Sequence, residues 1–249
     1  MALLGLIIGS FLNVVAYRVP LGRSVVRPAS SCPACDHPIR ARDNVPILSW
    51  LLLRGRCRDC GARISVRYPI VEATTAIAFA GTAWFIGLRW ILIPYLWFVG
   101  VTMVLILTDL DHQRIPNRIL YPSTVAGAIL LAGGAFAEKN GELLVRSVEG
   151  AFAYFALLFV VALAARGGFG MGDVKLAFFL GLFLTYASWG TLVVGVFLAF
   201  AVGGLAAIVL LATGVRGRKD PIAFGPALVL GAWVAIPLAE RLLSWYLGI

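Results

Sequence analysis

Two short stretches set carboxylates beside small residues at the ends of long apolar runs: Thr108-Asp-Leu-Asp-His-Gln-Arg-Ile-Pro-Asn117 and Gly170-Met-Gly-Asp-Val-Lys175. The first follows a run from Ile91 to Leu107 with no charged residue, so Asp109 and Asp111 stand where a membrane span would meet water. Ionisable groups at that depth are costly unless paired or hydrated, and a functional role is the default. Asp109 and Asp173 are 64 residues apart, yet each falls at the same end of a different expected span. Two carboxylates brought within a few ångströms cannot both ionise readily, so one keeps its proton. One can then act as base on a water while the other donates to a scissile carbonyl, as in aspartic proteases. Gly170 and Gly172 would let backbone or substrate approach closely beside Asp173. Plainer roles compete with these. Asp173 suits the N-cap of a helix starting at Val174. Asp111 suits a turn before Ile115-Pro116 and is assigned a supporting part. Lys175 can pair with an acid or snorkel toward headgroups.

A second constellation is Cys32-Pro-Ala-Cys35 with Cys57-Arg-Asp-Cys60. Two CxxC turns facing one another make a tetrahedral zinc site, and four sulfurs leave no open position for water, so the role is structural. Two disulfides are the alternative, disfavoured in a reducing cytoplasm. His37 lies inside this loop as a spare donor rather than a ligand, and His112 beside the acids reads as solvated. Glu72, one turn inside an apolar run in Arg67-Tyr-Pro-Ile-Val-Glu72, either complements a helix dipole or meets a polar partner such as an arginine or a substrate amine.

The elements that must position these groups are membrane helices. Hydrophobic residues make up 61% of the chain, charged residues only 13%, and the mean hydropathy is +0.93. Only helices and closed barrels satisfy their backbone inside lipid, and the apolar runs here are continuous rather than alternating, which excludes a barrel. The expectation is an all-α polytopic membrane protein with about eight transmembrane helices. The first is 1–17, kept as a span rather than a signal peptide because it lacks a basic start and carries Asn13. The others fall at about 69–88, 91–108, 118–137, 148–165, 174–188, 189–213 and 224–247. A small zinc-binding domain, 18–68, lies between helices 1 and 2, and 69–249 is a seven-helix catalytic bundle.

The net charge of +9 does not imply nucleic acid as a partner. Ten arginines lie between Arg18 and Arg67, and with that domain in the cytoplasm 17 of the 21 Lys and Arg fall on the same side. Only Arg89, Lys139, Arg146 and Arg241 fall outside. This is the positive-inside pattern of a multi-pass protein, and it puts both aspartate motifs on the cytoplasmic face. The small-residue steps Gly195, Ala199 and Gly203 read as close helix packing.

Taken in order, several pieces resemble the bacterial type 4 prepilin peptidases across almost the whole chain. They are Ser10-Phe-Leu-Asn-Val-Val-Ala-Tyr-Arg18, the cysteine pairs, Leu48-Ser-Trp-Leu-Leu-Leu-Arg-Gly-Arg56, Arg67 to Glu72, Thr108 to Asn117, Gly170 to Lys175, and Phe224-Gly-Pro226. The Gly-x-Gly-Asp box is also similar to that of presenilin-type intramembrane aspartyl proteases. The resemblance implies an enzyme of the bacterial inner membrane. Such an enzyme cuts the basic leader from type IV prepilin or pseudopilin precursors on the cytoplasmic side, then methylates the new N-terminal amine with S-adenosylmethionine. It implies Asp109 and Asp173 as the catalytic pair, the four cysteines as zinc ligands, and a looser link of Glu72 to methyl transfer. Pilus or type II secretion machinery would be an indirect partner, and the lipid bilayer a direct one.

Three other classes fit these residues less well. A zinc-stapled transporter would use the acids as ion sites, but transport sites usually lie near the midplane. A metalloprotease lacks any His-Glu-x-x-His. A structural assembly factor would tolerate loss of both aspartates.

Overall fold

The computed structural model describes residues 1–165, 169–214 and 223–248. Arg166, Arg216, Arg218 and Lys219, counted above with the expected cytoplasmic side, lie outside the described residues. All regular structure in the described residues is helical: α1 (Ala2–Arg18), α2 (Leu48–Leu52), α3 (Arg67–Ile86), α4 (Leu92–His112), α5 (Asn117–Ala137), α6 (Glu142–Ala164), α7 (Met171–Ala187), α8 (Trp189–Ala212) and α9 (Gly225–Leu247), with one 3₁₀ turn at Ala41–Asp43. Six of these, α3 to α6, α8 and α9, are long and apolar enough to cross a membrane. The helices α1 and α7 have 17 residues each, about 25 Å at 1.5 Å per residue, near the lower limit for a span. Eight long helices therefore form a multi-pass membrane protein.

The chain divides into two compact units, Met1–Leu88 and Arg89–Ile249. In the first, α1 packs along α3. Glycines make this possible: a side chain at Gly5 would begin 2.6 Å from the Ala76 Cα, and one at Gly9 would begin 2.9 Å from the Glu72 Cα. The Asn13 amide donates to Tyr68 O at 3.5 Å, the interhelical use expected of a buried amide. Between these helices lies the cysteine segment.

In the second unit α4 and α7 are the most buried helices, walled by α5, α6, α8 and α9. Their shared core is aromatic: Phe98, Phe179 and Phe183 stack or tilt on one another, and Tyr95 donates to Phe183 O at 2.9 Å. The α6–α7 pair closes where Gly181 faces the Gly150 carbonyl, which a Cβ would meet at 2.6 Å. Gly195 and Ala199 pack on α9 at Gly231, whose Cβ would lie 2.6 Å from both Gly195 O and Ala199 N, so the expected small-residue stripe is a helix contact. Arg146 donates to Thr185, Tyr186 and Ala187 carbonyls, satisfying the open C-terminus of α7.

Two boundaries matter for the site. Helix α4 continues through Asp109 and Asp111 to His112 before Gln113 turns left-handed, so both acids are in a last helical turn. Helix α7 starts at Met171 with Gly170 as N-cap. Asp173 is therefore inside the first turn and does not cap a helix starting at Val174, because the extended Gly170 takes that position.

Candidate active site and metal centre

Asp109 and Asp173 are only 5% and 9% exposed. The Oδ2 of Asp109 accepts the Gly225 N–H at 3.1 Å, so the N-terminus of α9 points at the carboxylate. Such an end carries unsatisfied N–H groups and partial positive charge, which favour an anion. A Cβ on Gly225 would sit 2.7 Å from this oxygen, so any larger residue there would displace the carboxylate. Asp173 has its backbone N–H on Gly170 O at 3.1 Å, and its Oδ2 lies 3.3 Å from where a Gly170 Cβ would be.

Three contacts draw the motifs together. Gly172 packs on Ile115 of the loop after α4, with a Cβ position 3.3 Å from the Ile115 Cβ. The Phe169 ring, next to Gly170, meets the Phe224 ring, next to Gly225, edge-on at 5.3 Å. Lys175 reaches Asn117 Oδ1 at 3.4 Å and lies over the Tyr121 ring, which supplies it with polar and aromatic partners rather than an acid. On α6 the Tyr154 hydroxyl is buried and has no hydrogen-bond partner among the described residues.

Asp111 is exposed. Two residues are about 200° around a helix, so it cannot share the face of Asp109. Glu72 belongs to the first unit, where it is buried and its Oε2 accepts the Ile47 N–H at 2.7 Å. Its partner is thus a backbone amide, neither of the groups expected.

The cysteine segment folds as two similar turns. Cys32 N–H donates to His37 O and Asp36 N–H to Cys32 O; Cys57 N–H donates to Ala62 O and Gly61 N–H to Cys57 O. Asp36 and Gly61, each just after the second cysteine of its pair, have positive φ. Arg40–Asp59 and Arg58–Asp43 ion pairs, at 3.0 and 2.7 Å, tie one turn to the other. All four cysteines are free, their sulfurs lie within 4.8 Å of one another, and Cys32 Sγ to Cys60 Sγ is 3.8 Å. Sulfurs about 2.3 Å from a central zinc would have a tetrahedral edge of about 3.8 Å. The donor set fits a metal ion and leaves no disulfide. The backbone N–H of Ala34 draws the Cys32 thiol down, while burial and the neighbouring Cys60 and Cys32 sulfurs push the Cys35 thiol up, so the crowded quartet holds its first negative charge on Cys32.

Residues 96–208 match the type IV leader peptidase family and residues 3–86 the bacterial peptidase A24 N-terminal domain. Prepilin leader peptidase/N-methyltransferases are similar over nearly the whole chain. The one from Neisseria gonorrhoeae is 34% identical over 278 residues, covering 99% of this chain and 93% of the relative. That from Bacillus subtilis (strain 168) is 34% identical over 245 residues, covering 98% and 95%. That from Myxococcus xanthus (strain DK1622) is 38% identical over 254 residues, covering 96% and 74%. The chain belongs to the type IV leader peptidase family.

No solved structure matches it. The two matched family segments fall one in each compact unit, so the fold of this family member keeps the cysteine segment and the aspartate motifs in separate bodies. Sequence reasoning marked Phe224-Gly-Pro226 as a helix start but missed that the Gly225 N–H meets Asp109. A glycine followed by proline there was a usable signal, since it marks a bare N-terminus with no side chain.

Proposed function

We propose that this chain is a membrane aspartic endopeptidase that removes the basic leader of type IV prepilin or pseudopilin precursors and N-methylates the new N-terminus with S-adenosylmethionine. The observation that carries the peptidase reading is the meeting of the two motifs: Gly172 on Ile115, Lys175 to Asn117, and Asp109 held by the start of α9. The family and the names of the relatives support both activities, and no finding supports the ion-transport alternative.

In this reading Asp109 and Asp173 share one proton, because adjacent carboxylates do not both ionise readily. The ionised member takes a proton from a water, which attacks the scissile carbonyl carbon, while the protonated member gives its proton to the carbonyl oxygen. Collapse of the resulting diol breaks the C–N bond and returns a proton to the leaving amine. The Gly225 N–H holds Asp109 in place for this, and Gly170 and Gly172 keep the approach to Asp173 open. A prepilin's apolar helix would lie in the bilayer beside the second unit, presenting its leader junction at headgroup depth. The apparent titration would belong to the pair, not to either acid.

Cys32, Cys35, Cys57 and Cys60 hold zinc, which staples a segment with few large apolar side chains. Both the cysteine domain and the aspartates face the cytoplasm of a bacterial inner membrane, in line with the Lys and Arg asymmetry. Glu72 and Asp111 are supporting residues at most, and Glu72 acts through Ile47. The test is incubation of purified protein with a prepilin peptide and S-adenosylmethionine, read by mass. Loss of the leader with gain of one methyl group is expected, and an unchanged peptide would refute the assignment.

A further inference from the structure

Within the arginine-rich segment between α1 and α3, the stretch Val45-Pro-Ile-Leu-Ser-Trp-Leu-Leu-Leu53 is apolar and carries no charge. Its inner face is pinned to the domain. Ser49 Oγ accepts the Val45 N–H and donates to Arg42 O, and the Trp50 indole donates to Ile64 O at 3.1 Å. Its outer face is bare. Leu48, Leu51 and Leu52, at the i, i+3 and i+4 positions that share one side of a helix, are 58%, 57% and 81% exposed. Clustered leucines on a folded surface mark a contact with something apolar.

What covers them follows from depth. Ile47, just before α2, donates its N–H to Glu72 Oε2 at 2.7 Å. Glu72 is five residues inside the span α3, which begins at Arg67. Five residues of helix are about 7.5 Å, and an interfacial helix buries its apolar face about 5–10 Å into the headgroup and acyl boundary. Ile47 also has a φ of +60, an unfavourable conformation for a β-branched residue. In the first turn of α3, Tyr68 and Ile70 are exposed as well. Exposed Arg42, Arg54 and Arg56 flank the leucines, as cations flank membrane-inserted faces.

We infer that α2 is an interfacial wedge whose leucines sit in the lipid leaflet adjoining the cysteine domain, with the flanking arginines on lipid phosphates. This does not depend on the peptidase reading. The partner is the bilayer surface itself, and an apolar substrate helix is the rival occupant.

The test places a nitroxide amino acid at Leu52, and separately at Leu51, in the full-length protein in phosphatidylethanolamine–phosphatidylglycerol nanodiscs. Unchanged metal content establishes that the cysteine domain is folded. Collisions with oxygen, which partitions into lipid, are compared with those of a water-soluble nickel chelate. Trp84 on the exposed face of α3 and Asn140 in the α5–α6 loop serve as references. At both sites the oxygen-to-nickel ratio should match Trp84 and exceed Asn140 several-fold. A ratio like that of Asn140, or protection from both reagents, would overturn the inference. A fall in both collision rates on adding a prepilin peptide would assign the face to substrate and overturn it equally.

Discussion

At the residue scale, the position of one carboxylate depends on a missing side chain. Gly225→Ala introduces a Cβ 2.7 Å from Asp109 Oδ2, and a catalytic group displaced by about 1 Å loses on the order of 10²-fold in rate. We expect leader cleavage by Gly225→Ala to fall by about that factor in kcat with the fold retained. Gly133→Ala, mid-helix in α5 with nothing within 4 Å, should leave turnover unchanged. Asp109→Asn and Asp173→Asn should each abolish cleavage in a peptide assay while the thermal midpoint stays within a few degrees of the parent. Retained turnover in either variant would remove the dyad.

At the element scale, helix pairs and the cysteine turns stand on different physics. Gly→Ala in a helix interior usually stabilises by about 0.5–1 kcal/mol. At Gly181 the sign should reverse, since the new methyl would meet the Gly150 carbonyl and Ala151 backbone of α6, and overpacking costs roughly 1–3 kcal/mol. Because α7 carries Asp173, a lower unfolding midpoint in Gly181→Ala should come with lower activity. The cysteine turns should instead respond to acid and chelators. Thiolates must be deprotonated to bind metal, so a metal held by the four sulfurs should leave as pH falls and Cys57→Ser should lose it at neutral pH, measured by elemental analysis. Arg58 beside Asp43 holds that carboxyl below the usual range. Its contribution is full above the ordinary carboxylate pKa near 3.9 and is lost only as pH falls through the lowered value. Metal loss at higher pH therefore belongs to the sulfurs.

At the scale of the whole molecule, two compact units coincide with two family segments, and the acids of the proposed protease site both lie in the second. Asp109→Asn should therefore still methylate a pre-cleaved peptide if methyl transfer uses separate residues, as a single methyl gain by mass would show. Reporter fusions after Arg18 and Asn117 should read cytoplasmic and one after Asn140 external, from the charge asymmetry. The helical class, the long helices and the cysteine quartet were legible because hydropathy, CxxC spacing and Lys/Arg distribution are local along the chain. The interlocking of the aspartate motifs was foreseeable only as a wager on shared membrane level. Packing alone decided that the N-terminus of α9 holds Asp109 and that Glu72 spends its carboxylate on Ile47. Those contacts join residues 116 and 25 positions apart. Periodicity reports which face of a helix is apolar but not which neighbour that face meets, and that choice is made by glycines and aromatic rings brought together in the folded bundle.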